Sequence, residues 1–97
     1  MRLKISTSFK DKLNNQVEFI AKDKPSTARK FKSELISKIK EIAKMPYMYR
    51  KSIFFDREDI RELIHKGYIV VYKVNEKEGA IEVFGFTKYE ENPLFKT

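Results

Sequence analysis

Arg61, His65 and Lys66 stand close together in the stretch DIRELIHKGYIVVYKV, residues 59–74. Their shared chemistry is the holding of anions. A guanidinium offers a planar fork of N–H donors and an ammonium a compact point charge, while an imidazole donates or accepts according to its protonation. Set on a rigid sheet, such groups suit a phosphate or a carboxylate. Arg50 and Lys51 follow an aromatic run, Tyr47-Met48-Tyr49, and form a second basic group suited to a partner contact. His65 is the chain's one histidine, and there is no cysteine. That excludes a disulfide framework and a thiolate metal site, and argues against zinc. No metal or cofactor is expected.

The elements that must position these residues are legible in the apolar spacing. Ile60, Glu62 and Ile64 alternate with Arg61 and Leu63, a Lys66-Gly67 turn signal follows, and Tyr68, Val70 and Tyr72 alternate with Ile69, Val71 and Lys73. This pattern predicts an antiparallel hairpin, with at least one strand central because both of its faces are apolar. Leu3 and Ile5 mark a short first strand. Phe9, Leu13, Val17 and Ile20 recur at helical spacing, as do Ala28, Phe31, Leu35, Ile39 and Ile42. Between these helices Asp23-Lys24-Pro25-Ser26 is a break, with Pro25 in a first turn and Asp23 or Ser26 as its cap. The outer face of the second helix carries Arg29, Lys30, Lys32, Lys38, Lys40 and Lys44, read as mostly solvated. Ser52 to Phe55 reads as a further short strand. Ile81, Val83 and Gly85 share one face of a last strand, with Phe84 and Phe86 on the other. The expected fold class is α+β: an N-terminal strand, then an antiparallel helical hairpin packed on a twisted, mainly antiparallel sheet of three to four strands. Residues 1–97 are expected to form one domain.

The net charge of +7 is unevenly placed: residues 1–51 hold 14 Lys and Arg against 5 Asp and Glu, and residues 52–97 hold 7 against 9. A basic N-terminal half points to an anionic partner, either nucleic acid or an acidic protein. The longest apolar run, Tyr68 to Tyr72, is far below the roughly 20 residues that a membrane span needs. Without a hydrophobic leader at the N-terminus, the expected location is the cytoplasm, with no membrane partner.

The chain resembles the RelE/ParE superfamily of type II toxin–antitoxin toxins. The resemblance rests on Pro25, Ser26, Ala28, Phe31, Leu35, Ile39, Ile42 and Pro46 followed by Arg50; on Ile60-Arg61-Glu62-Leu63 followed by Gly67-Tyr68, Val70 and Tyr72-Lys73-Val74; and on Ile81, Val83 and Gly85-Phe86. It implies a growth-arresting toxin, held inactive in a hetero-oligomer by a cognate acidic antitoxin. RelE-like members are endoribonucleases (mRNA interferases) that bind mRNA at the ribosomal A site and use the 2′-OH to attack the adjacent phosphate. ParE-like members poison DNA gyrase and lack that chemistry.

Cleavage of this kind needs a base, cations for the transition state and an acid for the leaving oxygen. By the resemblance, Lys88 would supply charge, Tyr89 a proton or a stacking face, and Arg61 a phosphate contact, with Arg50, Lys51, His65 and Lys66 touching substrate or target. Arg61 has an alternative: pairing with Glu62, Asp59 or another acid. His65 is expected at the turn or surface, and Tyr68 and Tyr72 as half-buried strand aromatics. RelE-like toxins place an Arg directly after the hairpin Tyr, where this chain has Ile69. Loss of one such charge costs on the order of 10²–10³ in rate. Ribosome-dependent mRNA cleavage is the first expectation and gyrase poisoning the alternative. A degenerate member that binds only its antitoxin is a third.

Overall fold

The computed structural model describes residues 1–89. Strand β1 (Arg2–Ile5) passes into helix α1 (Thr7–Ala21) at Ser6, whose Oγ accepts the Phe9 N–H at 3.0 Å. Such a cap satisfies one of the first-turn donors that the helix itself leaves unpaired, and is worth about 1 kcal/mol. Helix α2 (Pro25–Ile42) starts on a proline, whose fixed φ suits a first turn and whose missing N–H would have had no helical partner. Neither Asp23 nor Ser26 caps it. Lys24 holds the cap position and has no side-chain acceptor, so the expected cap is absent.

Four strands follow: β2 (Arg50–Lys51), β3 (Ile60–His65), β4 (Tyr68–Asn75) and β5 (Ala80–Lys88). With β1 they form one five-stranded sheet in the order β1-β5-β4-β3-β2. The α+β class stands, but the sheet is larger and more mixed than three to four antiparallel strands. β1 joins it in parallel, Leu3 opposite Ile81 and Ile5 opposite Val83. The other neighbours are antiparallel.

The expected strand at Ser52–Phe55 is replaced by two paired residues just before it. Ser52 is buried, and its Oγ accepts the Phe54 N–H at 3.2 Å. That local bond turns the backbone out of the ladder. In β5 the phase slips: Val71 pairs with Gly85 while Tyr72 pairs with Val83, so Phe84 is an extra residue in a β-bulge. Phe86 therefore joins Ile81 and Val83 in the core instead of facing away from them. Phe84 lies on the other side, with its ring edge-on to Phe55 at 6.1 Å.

The main core lies between the helices and one sheet face. Phe9, Leu13, Phe31, Leu35, Ile39 and Ile42 meet Leu63, Val70, Tyr72, Val74, Ile81, Val83 and Phe86. Each such side chain contributes about 1.5–3 kcal/mol on full burial, so this stripe-on-sheet contact fixes the helical hairpin. The opposite face carries a smaller cluster of Ile60, Ile69 and Val71, covered by Phe54 and Tyr89. The apolar reading of both faces of the central hairpin is thus explained by two cores. The apolar residues Leu94 and Phe95, suited to cover either the core or an antitoxin helix, lie outside the described residues. No helix among the described residues is long and apolar enough to cross a membrane.

Candidate functional site

At the β2–β3 edge the ladder sets Arg50 opposite Glu62 and Lys51 opposite Arg61. The Arg50 Nε and Nη2 both donate to one oxygen of Glu62, at 2.9 and 2.6 Å, and the other oxygen accepts the Ile53 N–H at 3.1 Å. The Glu62 side chain has no exposed surface. A carboxylate buried in this way is held by paired charge and filled acceptors. Arg50 thus anchors the connector to the sheet.

Arg61 takes the alternative that its sequence position left open, but its acid is Glu58. Its Nε donates to the Glu58 carbonyl at 2.8 Å, its Nη2 to the Glu58 carboxylate at 3.1 Å and its Nη1 to the Tyr49 carbonyl at 3.2 Å. The guanidinium carbon lies 4.9 Å from the Tyr47 ring centre, a cation–π contact. Most of the donors in its fork are occupied within the chain. Lys51 stands in an exposed acidic setting, 3.4 Å from Asp56 and 3.8 Å from Glu58.

His65 is not at the surface. It closes β3, is 3% exposed and packs against Phe31. Its Nδ1 is 3.1 Å from the Lys38 ammonium, and its Nε2 has no hydrogen-bond partner among the described residues. Burial first, then the charges of Lys38 and Lys66, hold the imidazole below its usual pKa. Lys66 adopts φ 48° in the turn and reaches across to Glu34 of α2 at 2.8 Å. That bond is the main cause lowering the Glu34 pKa. Lys38, which the sequence placed on a solvated helix face, is therefore a member of this cluster. Its i, i+4 relation to Glu34, opposite a strand-end His-Lys pair, was the available signal.

Lys88 and Tyr89 part company at the end of β5. Lys88 lines a groove against α1 with Lys12, Asn15, Gln16, Phe19 and Tyr68. Tyr89 covers the small cluster on the far face, and its N–H donates to the Gly67 carbonyl at 2.7 Å. Tyr68 is half-buried, as expected. Tyr72 is fully buried, with its hydroxyl donating to the Pro46 carbonyl at 2.8 Å and its phenol pushed to a higher pKa by burial.

The seven candidate residues thus fall into three places: Arg50, Lys51 and Arg61 at the sheet edge, His65 and Lys66 under α2, and Lys88 and Tyr89 split across the end of β5. Ile69, where the sequence resemblance expects an arginine in a RelE-like toxin, is fully buried beneath Phe54 and Tyr89. Among the described residues, no three His, Cys, Asp or Glu side chains gather to hold a metal ion.

The crystal structure of the isolated E. coli RelE toxin is similar to this fold, with a TM-score of 0.60 over 97% of this chain and 89% of that one, at 18% sequence identity. At that identity the likeness is one of fold. No curated protein sequence matches the chain. A family model, the ParE toxin of type II toxin–antitoxin systems (parDE), matches residues 3–93. With nearly the whole length matched and the fold in agreement, the chain belongs to the ParE toxin family of type II toxin–antitoxin systems.

Proposed function

We propose that this toxin acts by binding, not by cutting RNA, and that its target is DNA gyrase. The observation that carries this reading is Ile69. The sheet face where a RelE-like toxin needs a cation is here an apolar cluster of Ile60, Ile69 and Val71 under Phe54 and Tyr89. A phosphate brought over Ile69 would lose its hydration against apolar side chains, and the cation on that face of β4, Lys73, stands two residues beyond Val71, beside Asp59. Arg61 has most of its donors committed to Glu58 and backbone carbonyls, and Arg50, half exposed, gives two of its nitrogens to Glu62. The site residues therefore support a surface for protein contact better than an acid–base pair flanking a scissile phosphate.

The partner that neutralises it is an acidic antitoxin. A chain of net charge +7, with the excess in its first half, attracts a polyanionic peptide and speeds its association. Apolar surfaces beside the lysines, such as Phe19 and Met48, add contact area that survives moderate salt.

Purified toxin should inhibit gyrase supercoiling or trap cleaved DNA complexes, and the antitoxin should reverse the effect. Normal supercoiling at saturating toxin, together with translation-dependent cutting of mRNA, would replace this reading with the RelE-like one. Growth without arrest on overexpression would point to a chain that retains only antitoxin binding.

A further inference from the structure

A cleft of about 400 Å³ opens between α2 and the end of β3. It exists because β2 pairs only with Arg61 and Glu62, so that Leu63 to His65 run on past it. Ser33 and Ser37 stand one helical turn apart on the α2 wall, next to Glu34 and Lys38, and Ile64, His65 and Lys66 form the other wall.

Two features set this cleft apart from an ordinary lysine-rich surface. The first is the state of His65. Lys38 is a donor only, so Nδ1 must accept from it and the ring proton sits on Nε2. That N–H is sealed from solvent, so Nδ1, on the Lys38 side, is the ring nitrogen that a ligand in the cleft meets. The second is the balance of charge around the ring. Lys38 and Glu34 face it from α2 and Lys66 from the turn, while Tyr68 is its neighbour on β4. Glu34 is already bound by Lys66 at 2.8 Å, and Lys30 adds a further positive charge beside it. The cleft thus has hydroxyls and ammonium groups converging on it, with its one carboxylate engaged.

We propose that this cleft binds a phosphate group, with Lys38 and His65 as its main contacts, Lys66 as a flanking charge and the Ser33 and Ser37 hydroxyls as further donors. On binding, the Lys38 ammonium turns from Nδ1 to a phosphate oxygen. Nδ1 then takes one proton from solvent and donates it in a hydrogen bond to the same group. His65 therefore takes up a proton as phosphate binds, so affinity rises as pH falls toward about 6, where a monoester's own second ionisation begins to remove its charge. A free nucleotide and a polynucleotide backbone present the same oxygens, so either can be the source. The proposal stands whether or not gyrase is the target.

The single histidine provides the readout. In the full chain, the His65 imidazole resonance is followed by NMR during titration with inorganic phosphate, a nucleoside monophosphate or a short single-stranded oligonucleotide. Sodium chloride at matched ionic strength is the control. The expected result is a saturable shift and an upward move of the His65 titration midpoint. Removing a charge-assisted donor in Lys38→Met should weaken phosphate binding about tenfold, and Ser37→Ala should weaken it by less. Should Lys38→Met not fold, Lys66→Met and Ser37→Ala, both at exposed positions, carry the same comparison. A tighter response to oligonucleotide supports the proposal with the backbone as source, and a tighter response to the monophosphate supports it with a free nucleotide. Shifts no larger than those with chloride overturn it, as do shifts unchanged in the variants. A glutamate-rich peptide that moves the resonance where phosphate does not would also overturn it, by making the cleft a carboxylate site.

Discussion

The Arg50 guanidinium grips a single oxygen of the buried Glu62 carboxylate with two of its nitrogens, at 2.9 and 2.6 Å. Arg50 is itself half exposed, so the pair is asymmetric: one partner keeps its water and the other has none. Glu62→Ala removes the buried acceptor and strands both the Ile53 N–H and the guanidinium. Loss of about 3–5 kcal/mol is expected, read as a lower midpoint in urea at unchanged slope. Arg50→Ala should cost nearly as much, because it leaves Glu62 buried and unpaired.

Tyr72 ties the central strand to the connector after α2 through its bond to the Pro46 carbonyl. Tyr72→Phe keeps the ring and the packing but leaves that carbonyl without its donor. The expected cost is about 1 kcal/mol, measured by thermal or urea unfolding. No change would mean that the connector is held by Arg50 and Arg61 alone.

His65 gives the fold a pH dependence of definite sign. In the unfolded chain the imidazole titrates near its ordinary value of about 6.5, while burial, Lys38 and Lys66 resist its protonation in the folded state. Between those two values the unfolded chain binds more protons, so stability falls as pH drops below about 6.5 and stops falling below the folded-state midpoint. His65→Gln should flatten that segment of the stability–pH curve and leave the curve above pH 7 parallel to wild type.

Gly85 sits against Val71 at the bulge. A Cβ at position 85 would meet the Val71 Cβ at 3.0 Å and Cγ2 at 3.3 Å. Gly85→Ala should therefore cost about 1–3 kcal/mol through overpacking. In a double-mutant cycle, Val71→Ala should cost only slightly less in the Gly85→Ala background than alone, because it removes the Cγ2 at 3.3 Å but keeps the Cβ at 3.0 Å. Additive costs would place the strain on the Cβ contact alone.

Replacing Ile69 tests the functional reading from the side of stability. Ile69→Arg puts an unpaired charge into a fully buried site, so the protein should lose several kcal/mol and gain no ribosome-dependent cleavage. A folded Ile69→Arg variant that cuts mRNA would show that the far face was a nuclease surface lacking a single group.

The two helices, the hairpin and the α+β class were legible because they rest on local spacing. Apolar residues at three- and four-residue intervals can be buried together only on a helix, and alternation around Lys66-Gly67 only on paired strands. The two-sided apolar pattern at Ile69–Val71 even announced the second cluster. What one sequence could not carry was long-range pairing. β1 meets β5 across 74 or more intervening residues, and nothing near either strand encodes a parallel partner. The bulge at Phe84 depends on how β5 must bend against β4, so the side on which Phe86 falls was decided there.

The site divides along the same line. Charge, the single histidine and the Ile69 substitution were fixed by residue identity alone. Which of these side chains are engaged within the chain was settled by distances: Arg50 by Glu62, Arg61 by Glu58 and Tyr49, and His65 by a lysine 27 residues earlier. Coulomb attraction and hydrogen bonding act over a few ångströms of space. Only the folded chain brings those groups within that range.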